Sequence, residues 1–209
     1  MTIQDSKNVD GIPTILEFLL DETQSMGSYI QQTINGFNNF IDNQKEVDGE
    51  CFVTLTKFDT DGFRTPYTDL DINCVPHLNT STFIPNEGTN FRDAIIHRMN
   101  IRKTLLETWD IKPKILFVVL TDGEDNSSNL SVSYVKEQIT STFQNDDWAF
   151  IYLGAYPNSS KVGIELGFPE NNIKCFSGKR MKEEFNDLSS ATTAYRSGMT
   201  NSSNIYETV

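Results

Sequence analysis

Apolar positions along this chain fall into two alternating kinds of run. Residues 14–20, 115–120 and 148–154 are apolar on both faces, with Glu17 the single interruption of the first. Runs of that length and kind predict strands buried on both sides, as in the middle of a parallel sheet. Between them lie longer segments with one apolar stripe. Met26, Ile30, Ile34, Phe37 and Ile41 recur at intervals of four, four, three and four, which predicts a helix over 26–43. Ala94, Ile95, Met99, Ile101, Leu105 and Leu106 do the same for 89–108, and Val135 and Ile139 for 131–143. A short helix is expected at 161–167 and a closing one at 181–195.

The remaining segments complete one sheet. Residues 51–58 alternate and are rich in β-branched side chains, and the strand they predict ends at Asp59, with a turn at Asp61-Gly62. Residues 63–70 pair back on it as an antiparallel edge strand, since Pro66 at the centre suits only an edge. Residues 71–75 read as a short extended piece, 78–88 as a loop around Pro85, and 173–176 as a last strand. Strands alternating with helices predict an α/β, doubly wound, mostly parallel six-stranded sheet with helices on both faces. Residues 1–11 read as a loose polar leader, 12–196 as one domain and 197–209 as a flexible polar tail.

Composition narrows the partners. The 29 acidic residues against 17 basic give a net charge of -12, which repels phosphate backbones and anionic lipid. Nucleic-acid and membrane-surface binding are therefore not expected. No apolar run reaches the length of a membrane span, and the first residues lack the pattern of a signal peptide. Cys51, Cys74 and Cys175 are far apart and without CxxC spacing, so they read as buried or half-buried free thiols in a reducing compartment. A soluble, cytoplasmic protein is the expectation.

Three short segments carry the chemistry. The first strand runs into Asp21-Glu22-Thr23-Gln24-Ser25, which sets one carboxylate and two hydroxyls on one turn. Gly88-Thr89-Asn90 opens a helix, and Leu120-Thr121-Asp122-Gly123 ends the most apolar strand. These are hard oxygen donors, the kind Mg²⁺ takes in near-octahedral geometry while keeping some water. In a sheet of order 3-2-1-4-5-6 the first and fourth strands are neighbours, so Asp21 and Asp122 flank one crevice at their carboxyl ends.

Asp21, Thr23, Ser25, Thr89 and Asp122, in that order, resemble the metal-ion-dependent adhesion site (MIDAS) of the von Willebrand factor A (vWA) family. The stretches Gly88-Thr89-Asn90-Phe91-Arg92-Asp93-Ala94-Ile95 and Leu120-Thr121-Asp122-Gly123-Glu124-Asp125-Asn126-Ser127 are similar to those of bacterial and phage members. The resemblance covers residues 12–196, and Thr23 stands where serine is usual. It implies a Rossmann-like fold and a single bound Mg²⁺, with Mn²⁺ or Ca²⁺ as alternatives. Ser25, Thr23 and Thr89 would touch the ion directly or nearly so, and Asp21 and Asp122 partly through water. A Glu or Asp of a partner protein would fill the sixth position, making the site a docking point of a non-enzymatic module, in the host cytoplasm if phage-encoded; the oligomeric state stays open, a monomer among the options. Two alternatives stand beside it: a structural or assembly subunit with incidental or lost metal binding, and a Mg²⁺-dependent phosphatase. The phosphatase needs a second carboxylate where this chain has Thr23.

Other polar residues have more ordinary expectations. Asp93 suits the first turn of its helix or a clamp on neighbouring loops. Glu124 and Asp125 read as a solvated acidic rim, Asp59 and Asp61 as turn residues, and Trp109 and Trp148 as core or rim packing. His97 lies two helical turns beyond Thr89, out of reach of the ion, and His77 has no apparent partner. Tyr156 is a candidate for the rim of the binding face.

Overall fold

Strands that are apolar on both faces need helices over both, and the computed structural model places them so. It describes residues 11–59, 61–122, 125–144, 147–155, 158–177 and 180–207. Six strands form one sheet: β1 (Thr14–Asp21), β2 (Cys51–Asp59), β3 (Gly62–Asp71), β4 (Lys114–Thr121), β5 (Trp148–Ala155) and β6 (Ile173–Phe176). Their order is β3-β2-β1-β4-β5-β6, and every pair is parallel except β2–β3, the antiparallel edge. The helices are α1 (Ile30–Lys45), α2 (Phe91–Leu106), α3 (Val132–Phe143), α4 (Ser159–Glu165) and α5 (Met181–Arg196). This is the expected doubly wound sheet with its single antiparallel edge strand.

The period of two along β1 sorts the core into two layers. Leu16, Phe18 and Leu20 pack with Phe37, Phe40 and Ile41 of α1 and Phe185 and Leu188 of α5. Ile15 and Leu19 face the opposite side, with Phe91, Ile95 and Met99 of α2 and Val135 and Ile139 of α3. Helices α1 and α5 approach closely because Gly36 has no side chain: a Cβ there would overlap the ring of Phe185.

Glu17 shares the α2 layer and is fully buried. A buried carboxylate needs partners, and α2 supplies two guanidiniums one turn apart. Arg98 Nε donates to Glu17 Oε1 at 2.8 Å and Arg102 Nε to Oε2 at 2.7 Å. Arg102 also donates to Asp69 at 2.5 and 3.0 Å and to the Thr54 hydroxyl at 2.9 Å. Asp69 reaches it from β3 with a left-handed backbone, φ 48°, uncommon outside glycine. The β2–β3 register shifts twice, and Pro66, which has no N–H to donate, falls in the second irregularity.

Several boundaries differ from expectation for local reasons. The helix expected over 26–43 begins as a 3₁₀ run, Gln24–Tyr29, where Gly27 and Ser28 are weak helix formers, and becomes α-helical at Ile30. The middle of the piece expected to be extended over 71–75 is not. The Asp71 carboxylate accepts the Asn73 N–H at 2.8 Å and caps a 3₁₀ turn, Ile72–Cys74. Within the expected flexible tail, Ile205 is fully buried and Tyr206 nearly so. Asn172 holds it, donating to the Ser202 carbonyl at 2.8 Å and accepting the Ile205 N–H at 2.9 Å. Among the three free cysteines Cys51 is buried and Cys175 half-buried as expected, but Cys74 is exposed. Among the described residues no helix is long and apolar enough to cross a membrane. The leader is outside the described residues except for Gly11.

Candidate metal centre

β1 and β4 run parallel with Leu20 beside Leu120, so the chain leaves both at the same edge of the sheet. It then turns to α1 on one face and towards α3 on the other, the divergence at which sheets of this kind place their ligand crevice. Asp21, the last residue of β1, lies fully buried at that point. Its Oδ1 accepts the Thr23 N–H at 2.9 Å, and its Oδ2 accepts the Thr121 hydroxyl at 2.5 Å. Those bonds fix the turn that follows. Thr23 Oγ1 lies 2.9 Å from Ser25 Oγ, which donates to Asp122 Oδ1 at 2.6 Å.

Four of the five expected residues, Asp21, Thr23, Ser25 and Asp122, thus lie on one hydrogen-bonded chain. Thr89, the fifth, is outside that chain and is held by its backbone. Its N–H donates to Asn126 Oδ1 at 2.9 Å, and its carbonyl accepts the N–H groups of Asn126 and Ser127 at 3.1 and 3.0 Å. The Ser127 hydroxyl adds a third bond to that carbonyl at 2.8 Å. Among the described residues, then, the hydrogen bonds of Thr89 run to the loop that follows Asp122. Gly88, with φ 68°, makes the left-handed turn that delivers Thr89.

The electrostatics of the two carboxylates follow from burial. Loss of water pushes the Asp21 carboxyl up to about 6, against the lowering effect of its bonds from Thr121 and Thr23. Burial raises Asp122 as well, and the Ser25 hydroxyl opposes it. Both carboxylates are served by hydroxyl and N–H donors, which satisfy lone pairs without supplying a full positive charge. Among the described residues no three of His, Cys, Asp and Glu gather as a metal cluster. The set here is of another kind, two carboxylates and three hydroxyls.

The surrounding residues have mostly structural work. Asp93 is a clamp, its carboxylate accepting the N–H groups of Asn129 and Leu130 at 2.9 and 3.0 Å. Asp125 is not on a solvated rim: its side chain is 6% exposed and accepts from the Arg92 N–H at 2.8 Å and the Ser128 hydroxyl at 2.6 Å. Asp59 accepts the Asp61 N–H at 2.9 Å, as a turn residue does, and also pairs with Arg64 at 2.6 Å. His97 lies against the Phe63 ring, with centroids 4.8 Å apart, and His77 does have a partner, Asp42, at 2.8 Å. Trp148 is buried in the core and Trp109 sits partly exposed against Phe52. Glu124 and Tyr156 lie outside the described residues. Sequence reasoning missed Thr121, Asn126 and Ser127. Thr121 adjoins Asp122, and Asn126 and Ser127 lie four and five residues beyond it, but these residues act on Asp21 and on the backbone of Thr89, which no spacing rule displays.

No family model matches the chain, and a search of curated proteins returns no match. Solved structures do share the fold. Proximal thread matrix protein 1 of the mussel byssus, in its form with a zinc-occupied MIDAS motif, superposes with a TM-score of 0.61 at 16% identity. That match covers 88% of this chain and 47% of the other. The ArnB paralog VWA2 of Sulfolobus acidocaldarius gives 0.57 at 13% identity, over 86% and 45%. The pilus adhesin SpaC of Lactobacillus rhamnosus GG, in its open conformation, gives 0.65 at 12%, over 90% and 31%. The fold is vWA-like, and the chain spans less than half the length of each of these structures.

Proposed function

We propose that this chain is a protein-binding module whose docking point is a divalent cation held by Asp21, Thr23, Ser25, Thr89 and Asp122. The observation that carries the reading is the position of Ser25 Oγ, 2.9 Å from Thr23 Oγ1 and 2.6 Å from Asp122 Oδ1. Adjacent ligands of Mg²⁺, at bond lengths of about 2.0–2.1 Å, lie about 2.9 Å apart, so the Thr23–Ser25 separation matches that of neighbours around one ion and the Ser25–Asp122 separation is somewhat shorter. When bound, Mg²⁺, or Mn²⁺ or Ca²⁺ in its place, supplies a Lewis-acidic centre able to take an external carboxylate.

The residues present favour recognition over turnover. Three of the five donors are neutral hydroxyls, which offset little of a divalent charge and leave reason to recruit a Glu or Asp from a partner protein. Thr23 stands where a phosphatase would need its second carboxylate. The zinc-occupied MIDAS of the mussel protein and the adhesin SpaC support the same reading by analogy of fold. The net charge of -12 argues against nucleic acid and anionic membrane as partners, and three free cysteines suit a reducing, cytoplasmic setting.

Titration with Mn²⁺, following the free ion by electron paramagnetic resonance, tests the proposal. One ion per chain is expected, with binding lost in Asp21→Asn and Ser25→Ala. Wild-type protein that takes up no ion would sink it, and metal-dependent hydrolysis of a phosphate ester, lost in Asp21→Asn, would replace recognition with catalysis.

A further inference from the structure

Glu22 stands between two proposed ligands, Asp21 and Thr23, yet its side chain serves a different space. It lines a cavity of about 370 Å³ with Lys57, Asp59, Arg64, Thr82 and Asn86. The cavity shares a wall with the candidate metal centre. Asn86 bridges to the Thr23 backbone, and its N–H donates to the Glu22 carbonyl at 2.8 Å.

Most of the charge in this cavity is already committed. Lys57 is buried, and its Nζ donates to Glu22 Oε1 at 3.1 Å and to the Thr82 carbonyl. Glu22 Oε1 also accepts the Ile84 N–H at 2.7 Å. Arg64 enters from the edge strand β3 and spends a single nitrogen, Nη2, on Glu22 Oε2 at 2.7 Å and Asp59 Oδ2 at 2.6 Å. A guanidinium carries five N–H donors in a planar fork. Among the described residues, Nε and Nη1 of Arg64 make no hydrogen bond, and its side chain is 48% exposed. The two carboxylates of the lining are matched by its two cations. The half-exposed Arg64 thus keeps two unspent guanidinium nitrogens beside the candidate metal centre of a strongly acidic protein.

Resting on the metal reading above, we infer that this cavity is a second subsite of the docking surface, in which the free edge of Arg64 takes a carboxylate. Its occupant is an acidic peptide segment of the partner that carries two carboxylates, one for the ion and one for Arg64. Guanidinium–carboxylate bonds are charge-assisted and directional, so the pair of anchors selects both composition and spacing. Two linked contacts gain from effective concentration when the linker matches the span, and lose that gain when it does not.

The test uses synthetic peptides with two glutamates separated by glycine spacers of increasing length, each paired with a version whose second glutamate is glutamine. Affinities are read by chemical-shift titration of the full chain in saturating Mg²⁺. At one spacer length the second glutamate should tighten binding by about tenfold and shift the Arg64 Nε–Hε resonance. Arg64→Gln should remove the gain while Mg²⁺ still raises the melting temperature, and Arg64→Lys, charged but without the fork, should restore only part of it. A gain that survives Arg64→Gln, or no gain at any spacer in protein that does respond to Mg²⁺, overturns the subsite alone. Wild-type protein indifferent to Mg²⁺ overturns the metal reading and the subsite with it.

Discussion

Arg102 is a demanding position in the fold, and its replacement by methionine has a calculable cost. The side chain is fully buried and gives Glu17, Asp69 and Thr54 four hydrogen bonds of 2.5–3.0 Å. Methionine keeps much of the volume but strands buried carboxylate charge, which costs about 3–5 kcal/mol when one member of a buried pair is removed. Asp69 is 21% exposed and recovers some hydration, and Glu17 keeps Arg98, so the lower half of that range is expected. At about 2–4 °C per kcal/mol for a domain of this size, the melting temperature should fall by roughly 6–16 °C. Urea unfolding gives the free energy directly. The cause is separable from lost packing: Glu17→Gln in the Arg102→Met background removes the stranded charge and should return part of the loss, a non-additivity visible in a double-mutant cycle. A loss below about 1 kcal/mol, or two losses that simply add, would refute this account of the cluster.

Other expectations follow from single observations. If the proposed centre binds Mg²⁺, an ion concentration of about 100 times the dissociation constant adds about 2.7 kcal/mol and raises the melting temperature by roughly 5–10 °C. EDTA should reverse the rise and Asp21→Asn abolish it; identical melting curves with Mg²⁺ and EDTA would refute the metal. Burial pushes the Cys51 thiol up to about 11, while Cys74 is exposed, so iodoacetamide at pH 8 should label Cys74 first and Cys51 only in denaturant. Mass spectrometry showing equal rates would contradict the packing around Cys51. Ile205→Ala should cost about 2–5 kcal/mol in urea unfolding, because the side chain is fully buried, and a negligible change would mean that the C-terminal segment is not part of the core.

How far the sequence displays this protein depends on whether a residue acts through a periodic pattern. The central strands do: β1, β4 and β5 fall within a residue of their expected limits, and the differences at Asp21 and Thr121 arise because polar side chains close those strands. Ile205 and Tyr206 do not, since two apolar residues among polar ones have no period, and their burial depends on Asn172 being there to hold the backbone. Arg98 and Arg102 were hidden differently. Hydropathy assigns arginine to the surface, yet an ionisable residue within an apolar strand demands a partner, and two arginines four apart on a helix offer one.

That cluster also bears on the candidate site. Glu17 lies four residues before Asp21 on β1, and Arg98 lies nine after Thr89, so the ion cluster fixes the register between the strand that presents Asp21 and the helix that follows Thr89. The clamps from Asn126 and Ser127 fix Thr89 at the other end. The two buried carboxylates of β1 are treated oppositely: Glu17 is neutralised within the fold by guanidiniums, whereas Asp21 receives hydroxyl and N–H donors alone. A carboxylate held rigidly but left without a fixed counter-charge suits a cation taken from solution. If the proposed centre binds Mg²⁺, loosening the cluster with Arg102→Met should weaken that binding in a Mn²⁺ or Mg²⁺ titration as well as lower stability, although Arg102 belongs to the opposite end of α2 from Thr89.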